Sequence, residues 1–344
     1  MMRLLILTGR PDCLGENDVP IGNAFRRLGW EVVFGEIAAI ASDDYRHFTP
    51  GVLVRPSGEP HRLGSAAKGI RGVYFIDECQ LVWVNSGAPP SISRDVWQML
   101  WLASQDTVFV NSVEGTTFLE TKHALGLVVP KQHRAFAYAS NDFSLLWKRY
   151  QQSADLWWVA KPPNAYCGQS VFLLPPGGPN GRTILQCLTG NADAQSEFGG
   201  LTERELLMRQ HQSEYGLGGF KAQYALLQQF IAEVRQGEKR IIVACGRAVA
   251  WHGRKVSSDD HRSNIAQGGK PIPVELHSTE VELAELIGRK LMEYGINFLG
   301  LDMAYPYIID LNLTNPGGLY DAKLATGKDQ SDRVAELVIS RLHK

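Results

Sequence analysis

The alternation at the start of the chain limits the fold more than any other feature. RLLILT, from residue 3, is an apolar run of strand length; GNAFRRLGW has helical spacing and stops at Gly29; EVVFGEI returns to a strand pattern. A strand, a helix and a second strand in this order place the strands parallel with a right-handed crossover, so the chain opens as an α/β layer. The loop between the first strand and its helix, GRPDCLGENDVP, is long and polar. Loops at the carboxyl ends of parallel strands are where open sheets take ligands, which makes this one an expected substrate wall. It is not GxGxxG, and a dinucleotide fold is not expected.

A length of 344 residues suits two or three packed subdomains rather than one small core. With 44% apolar and 21% charged residues the chain belongs with soluble globular proteins, not disordered ones. A formal net charge of −1 argues against a nucleic-acid partner, which would need clustered Lys and Arg. No apolar run approaches the ~20 residues of a membrane helix. RLLILTG follows a single Arg and leads directly into a turn, so it reads as a strand and not a signal segment; the expected compartment is the cytoplasm. Cys13, Cys79, Cys167, Cys187 and Cys245 are odd in number and lack CxxC spacing, which fits reduced thiols and no structural zinc.

Three regions follow from the pattern, at 1–125, 126–222 and 223–344. In the first, GVYFIDE, LVWVN and DTVFVNS read as strands, SRDVWQMLWLASQ as a helix burying Val96, Leu100 and Ala103, and Lys122 falls on a further helix. In the second, VVPKQHRAFA and WWVAKPP read as strands and SVFLLPPGG as a hairpin arm. The polar, Gly-rich stretch 191–222 reads as a surface excursion with one helix, TERELLMRQHQ. In the third, QYALLQQFI is a strand, KRIIVACGRAVAWHGRKV a meander turning at CGR, and SDDHRSNIAQGGKPIPV a long polar loop. STEVELAELIGRKLMEYG is a helix capped by Ser278 or Thr279 with Val281, Leu283, Leu286, Ile287 and Leu291 inward, and a final helix, QSDRVAELVISRLHK, packs on a sheet.

The chemistry gathers in GLDMAYPYIIDLNLTNPGG, from residue 300, two strands joined by a turn. Asp310 and Asn312 are two apart and leave one face, where Asp302 on the neighbouring strand can join them. Two carboxylates and an amide oxygen suit Mg²⁺; a solvated polar hairpin is the alternative. Lys161 ends an apolar strand and needs an anion such as phosphate, or solvent. Gln228, Gln229, Phe230 and Ile231 close a strand with amides and apolar groups together, as a purine-binding hinge or as a solvent-facing edge. Arg240, Arg254, Arg262 and Asn264 lie along the meander and its loop, where guanidiniums on successive strands repel unless anions lie between them. Gly268 and Gly269 can turn backbone N–H groups toward an oxyanion.

This order of residues resembles the ATP-grasp superfamily, most closely the prokaryotic glutathione synthetases, over roughly 84–319. The strings that carry it are QQFIAEVRQGEKRIIV, HRSNIAQGG and FLGLDMAYPYIIDLNLTNPGG. The resemblance implies a small N-terminal parallel α/β domain followed by two α+β subdomains that clamp ATP. It implies ATP contacts at Lys122, Lys161, Gly168, the 228–231 hinge and Glu238, where the family usually has Asp. It places phosphate and acyl phosphate on Arg240, Arg254, Arg262, Asn264 and Gly269, and the metal, two Mg²⁺ ions replaceable by Mn²⁺, on Asp302, Asp310 and Asn312. The implied reaction is carboxylate–amine ligation through an acyl phosphate, with amino acids or short peptides as partners and a dimer or tetramer as the assembly. Most of the departures sit in loops. KPPNAYCG stands where the family has KPLDGMGG, with Ala165 and Cys167 for glycines; Asp310 stands for the usual Glu; and TNPGG, with Asn315, Gly317 and Gly318, stands for TSPT, which marks those residues for substrate. Three functions remain open: a ligase for other amino acids or peptides, glutathione synthetase itself acting on γ-glutamylcysteine and glycine, and a non-catalytic ATP-binding regulator.

Overall fold

A computed structural model describes residues 1–15, 17–56, 67–153, 155–164, 170–190, 223–255 and 270–342. It divides into two compact units: residues 1–130, 236–255 and 270–344 form one, and residues 131–235 and 256–269 the other. Among the described residues no helix is long and apolar enough to cross a membrane.

The first unit holds two sheets. One runs β3 (Ala41–Asp43), β4 (Arg46–Val54), β2 (Glu31–Glu36), β1 (Arg3–Thr8), β6 (Leu81–Val84), β7 (Phe109–Val110), with β5 (Ile70–Phe75) paired to β4. β2, β1, β6 and β7 pair parallel, as the opening alternation requires. The sheet is nevertheless mixed, because β3, β4 and β5 add on antiparallel. β4 escapes sequence patterning because Pro50 and Gly51 interrupt it, and both are poor strand residues.

The other sheet of this unit has the order β14 (Lys270–Ile272), β13 (Arg247–Lys255), β12 (Glu238–Ala244), β15 (Phe298–Ala304), β16 (Tyr307–Asn312), every pair antiparallel. Its apolar face, with Ile241, Val243, Leu299, Leu301 and Leu311, is buried in one core with Leu283, Ile287 and Leu291 of the helix Ser278–Met292. Two details of that helix differ from expectation. Glu280 reaches back to the His277 N–H at 2.8 Å and also takes Lys239 Nζ at 2.7 Å, so the capping residue is His277 and not Ser278 or Thr279. Leu286 is exposed, because the buried stripe runs through Leu283, Ala284, Ile287 and Gly288 instead.

Asn111 ties the elements of this unit together. Its side chain donates to the carbonyls of Phe298 (2.6 Å) and Leu313 (2.9 Å) and accepts from the N–H groups of Asn297 (2.8 Å) and Phe298 (2.7 Å). Trp83 meets Phe298 edge to face at 5.0 Å, and the final helix, Ser331–Leu342, adds Val334, Ala335 and Val338 to the same core.

The second unit is built on a four-stranded sheet, β10 (Phe172–Leu174), β9 (Trp158–Lys161), β11 (Ala225–Gln229), β8 (Ala137–Ser140), with antiparallel pairing throughout. VVPKQHRAFA is not a strand: residues Lys131–His133 make a helical turn after Pro130, and pairing begins only at Ala137. The helix expected in TERELLMRQHQ lies outside the described residues.

Candidate functional site

Strand register assembles the site on the first unit. Asp310 of β16 pairs with Asp302 of β15, Asp302 with Arg240 of β12, and Arg240 with His252 of β13. Directly opposed residues share a face, so these four side chains form a row across the sheet. Residues two along join them: Asn312 beside Asp310, and Glu238 opposite Arg254. Alternation thus turns Ile241, Val243, Leu299 and Leu301 to one core, while the other face carries the charges at one end and Ile242, Ala244 and Phe298, packed in a second core with Trp83, at the other.

The charges in this row are buried and mutually paired. Arg254 Nη1 donates to Glu238 Oε1 at 2.8 Å and to Asp302 Oδ1 at 3.0 Å, and Arg240 Nε lies 2.8 Å from the same Asp302 oxygen. Burial alone would raise the Asp302 carboxyl; Arg240 and then Arg254 outweigh it and hold it below the usual carboxylate range. Burial and the neighbouring Arg254 lower Arg240, whereas Asp302 and Glu238 overcome the burial of Arg254 and raise it. The Nε of each arginine is buried without an aligned hydrogen-bond acceptor. Two buried guanidiniums with a donor to spare suit an oxyanion.

The other end of the row is open. Asp310 is 24% exposed, with Lys122 Nζ 3.5 Å from its Oδ2 and the Leu311 N–H on its Oδ1. Asn312 turns its amide nitrogen to Asp302 Oδ2 at 3.3 Å. Among the described residues no three His, Cys, Asp or Glu side chains form a metal cluster, so a cation here relies on two carboxylates and the Asn312 oxygen. Such a hard, sparse donor set fits Mg²⁺, which fills its shell with water and phosphate oxygens.

The TNPGG segment lies against this row. Arg240 Nη1 donates to the Pro316 carbonyl at 2.5 Å, and Asn17 Nδ2 donates to Asn315 Oδ1 at 2.9 Å, joining the segment to the loop after β1. Gly317 and Gly318 have φ of +63° and +85°, a region costly to residues with a Cβ. A Cβ on Gly318 would meet Arg240 Cγ and Ile242 Cδ1, both at 3.0 Å.

Three residues of this neighbourhood escape sequence reasoning. Glu120 Oε2 accepts the N–H groups of Leu313 (3.0 Å) and Thr314 (2.7 Å) and the Thr314 hydroxyl (3.1 Å). Burial nevertheless pushes its carboxyl up to about 7, against those hydrogen bonds and with help from the Asp310 charge. His252 is fully buried with both ring nitrogens unpartnered, and burial, then Arg254 and Arg240, push it down to about 4. Asp321, on the helix Leu319–Thr326, approaches His252 Nε2 to 3.9 Å, and burial raises its carboxyl. Glu120 and Lys122 are two apart, the one signal that could have drawn attention to the former.

Of the residues singled out in the sequence, Lys122, Glu238, Arg240, Arg254, Asp302, Asp310, Asn312, Asn315, Gly317 and Gly318 fall in this unit. Lys161, Gln228, Gln229, Phe230 and Ile231 belong to the second unit. There Lys161 is buried at the end of β9, opposite Leu226, while Gln228 is buried on β11. β11 stops at Gln229, and the Phe230 N–H donates to the Trp157 carbonyl at 2.9 Å. Gly168, Arg262, Asn264 and Gly269 lie outside the described residues.

Residues 217–327, which include β12, β13, β15, β16 and TNPGG, match the family described as prokaryotic glutathione synthetase, ATP-grasp domain. A glutathione synthetase of Synechocystis sp. is 25% identical over 342 residues, 96% of this chain and 94% of that protein. The chain is an ATP-grasp protein resembling glutathione synthetase. Identity to this ATP-grasp group rises locally, to 34% over 119 residues with the glutathione synthetase of Agrobacterium fabrum, 35% of this chain and 36% of that one. The ATP-grasp ligase PsnB, solved with a minimal precursor, has the same fold at a TM-score of 0.60 and 12% identity, covering 99% of both chains. D-cycloserine synthetase DcsG has it at 0.59 and 12%, over 99% of this chain and 100% of its own. This ATP-grasp protein is an ATP-dependent carboxylate–amine ligase, an enzyme that forms C–N bonds.

Proposed function

We propose that this ligase activates a carboxylate as its acyl phosphate and couples it to the amine of an amino acid or short peptide. The observation that carries the proposal is the buried Arg240–Asp302–Arg254–Glu238 row running into the half-open Asp310 and Asn312 on one sheet face. A substrate carboxylate oxygen attacks the γ-phosphorus of ATP and ADP leaves. The amine then attacks the acyl carbon, loses a proton, and expels inorganic phosphate. Arg240 and Arg254 bind and orient the oxyanion groups, and burial strengthens those contacts. Asp302, Asp310 and Asn312 would hold Mg²⁺, which neutralises phosphate charge when bound. Lys122 orients Asp310 and adds a cation at that end. Lys161, Gly168, Gln228, Gln229, Phe230, Ile231 and Glu238 are the proposed nucleotide contacts, with Arg262, Asn264 and Gly269 beside the acyl phosphate. The proposed compartment is the cytoplasm.

The test is ADP release by the full chain with Mg²⁺, over a panel of carboxylates and amines. Release should need both partners. ATP turnover indifferent to either partner would refute the proposal. γ-Glutamylcysteine plus glycine belongs in the panel, but the TNPGG segment favours a different pair: it is held by Arg240 and Asn17 and departs from the glutathione synthetase string. Robust turnover with γ-glutamylcysteine and glycine, and with no better pair, would reverse that preference.

A further inference from the structure

The loop after β1 lines a cavity. The cavity, of about 410 Å³, lies beyond the carboxyl ends of β1 and β2, walled by Arg10 and Asp12 of the loop, Glu36 at the end of β2, and Arg71 of β5. Pro50, Gly51, Val52 and Gly72 also line it, with Glu36, Val52 and Arg71 on one face of the strands. Pockets of this size hold small organic ligands.

The charges are unevenly spent. Arg10 and Asp12 pair with each other through two hydrogen bonds, at 3.1 and 3.0 Å. Among the described residues no hydrogen bond or ion pair engages the Glu36 carboxylate or the Arg71 guanidinium. They lie within electrostatic range of that pair, since Glu36 acts on Arg10 and Arg71 on Asp12. One free carboxylate and one free guanidinium lining the same cavity match a ligand that carries an ammonium and a carboxylate together.

The loop is held in shape. Asp18 accepts the Gly15 N–H at 2.7 Å, the Thr8 hydroxyl at 2.6 Å and the Asn85 amide at 2.6 Å, and the Ala67 N–H bonds the Pro11 carbonyl at 2.9 Å. One end of the loop therefore lines the cavity, and the other, through Asn17, bonds Asn315 of the TNPGG segment.

We infer that this cavity binds an α-amino-acid head group, its ammonium on Glu36 and its carboxylate on Arg71, and that the 10–17 loop connects this subsite to the segment that selects substrate. The ligase proposal supplies only the expectation that amino acids are the available ligands. The head group belongs either to the far end of a peptide substrate or to a free amino acid bound as a second ligand.

Titration calorimetry on the full chain tests this, with glycine, L-glutamate, L-cysteine, γ-glutamylcysteine and the N-acetylated form of each as probes against wild type, Arg71→Ala, Arg71→Lys and Glu36→Gln. At least one probe should bind wild type. Arg71→Ala should weaken it tenfold or more, Arg71→Lys should restore part of the loss, and Glu36→Gln should bind as weakly as wild type binds the N-acetylated probe. All variants should bind ATP as wild type does, which separates this subsite from the nucleotide site and from misfolding. A raised KM for the carboxylate substrate at unchanged kcat would assign the head group to the substrate; weakened amino-acid binding at unchanged KM would assign it to a second ligand. If no probe binds wild type while ATP does, or if Arg71→Ala and Glu36→Gln bind every probe as wild type does, the inference is overturned. Absence of amine-dependent ADP release in wild type would refute the ligase proposal instead, and would leave these titrations to decide the subsite alone.

Discussion

Asp302 and Asp310 lie opposite each other on one sheet face, yet their surroundings assign them different costs. Asp302 is buried between Arg240 and Arg254, so Asp302→Ala leaves two buried guanidiniums, of which Arg254 keeps its ion pair with Glu238. Breaking such a group costs about 3 kcal/mol or more, and urea unfolding should show that loss together with lost turnover. Asp310 is part-exposed and meets one lysine. Asp310→Asn should change stability by less than ~1 kcal/mol while weakening Mg²⁺-dependent turnover; activity unchanged across a magnesium titration would contradict its assignment. A second residue-scale outcome concerns pH. Glu120, raised to about 7, keeps in the fold a proton that the unfolded chain releases near 4.5, so its share of stability falls as pH climbs through that interval. His252, lowered to about 4, refuses a proton that the unfolded chain accepts near 6.5, so its share is lost as pH falls from about 6.5 to 4. The two oppose each other between 4.5 and 6.5. Glu120→Gln should therefore gain about 2 kcal/mol of stability across that window relative to wild type, read from urea midpoints. Parallel curves for the two proteins would show that Glu120 is ionised in the fold.

At the scale of elements, period two made the β15–β16 hairpin legible. Asp302, Asp310 and Asn312 are readable from spacing because a strand turns alternate residues to one face, and register did the rest. Arg240 and Arg254 follow from the same rule. Glu120, His252 and Asp321 were not legible, because each reaches the site through a tertiary contact with residues far along the chain and has no local pattern to announce it. The mixed character of the first sheet was missed for a related reason: β4 contains Pro50 and Gly51, whose weak propensity is overridden by pairing with β2 and β5. The TNPGG segment gives the sharpest element-scale prediction. Gly318→Ala puts a Cβ at positive φ and against Arg240 Cγ, so it should cost about 1 kcal/mol of stability and lower turnover more than ATP binding. Turnover equal to wild type would show that the segment does not position Arg240.

For the molecule as a whole, the buried Asn111 amide is a single fastener with four hydrogen bonds to β15 and its surroundings. Asn111→Ala leaves buried donors and acceptors without partners and should destabilise the fold by about 3 kcal/mol in urea unfolding; a loss under ~1 kcal/mol would mean that other groups satisfy them. Comparison with known proteins fixes the ATP-grasp class, while the chemistry proposed for this chain rests on the sheet face that carries Arg240, Arg254, Asp302 and Asp310. The most direct measurement replaces the amine with hydroxylamine and follows ADP and hydroxamate together in wild type, Arg254→Ala and Asp310→Asn, over the carboxylate panel. The account predicts carboxylate-dependent hydroxamate in step with ADP for wild type, falling at least tenfold in both variants. ADP release without hydroxamate from any carboxylate, or hydroxamate undiminished in both variants, would contradict it.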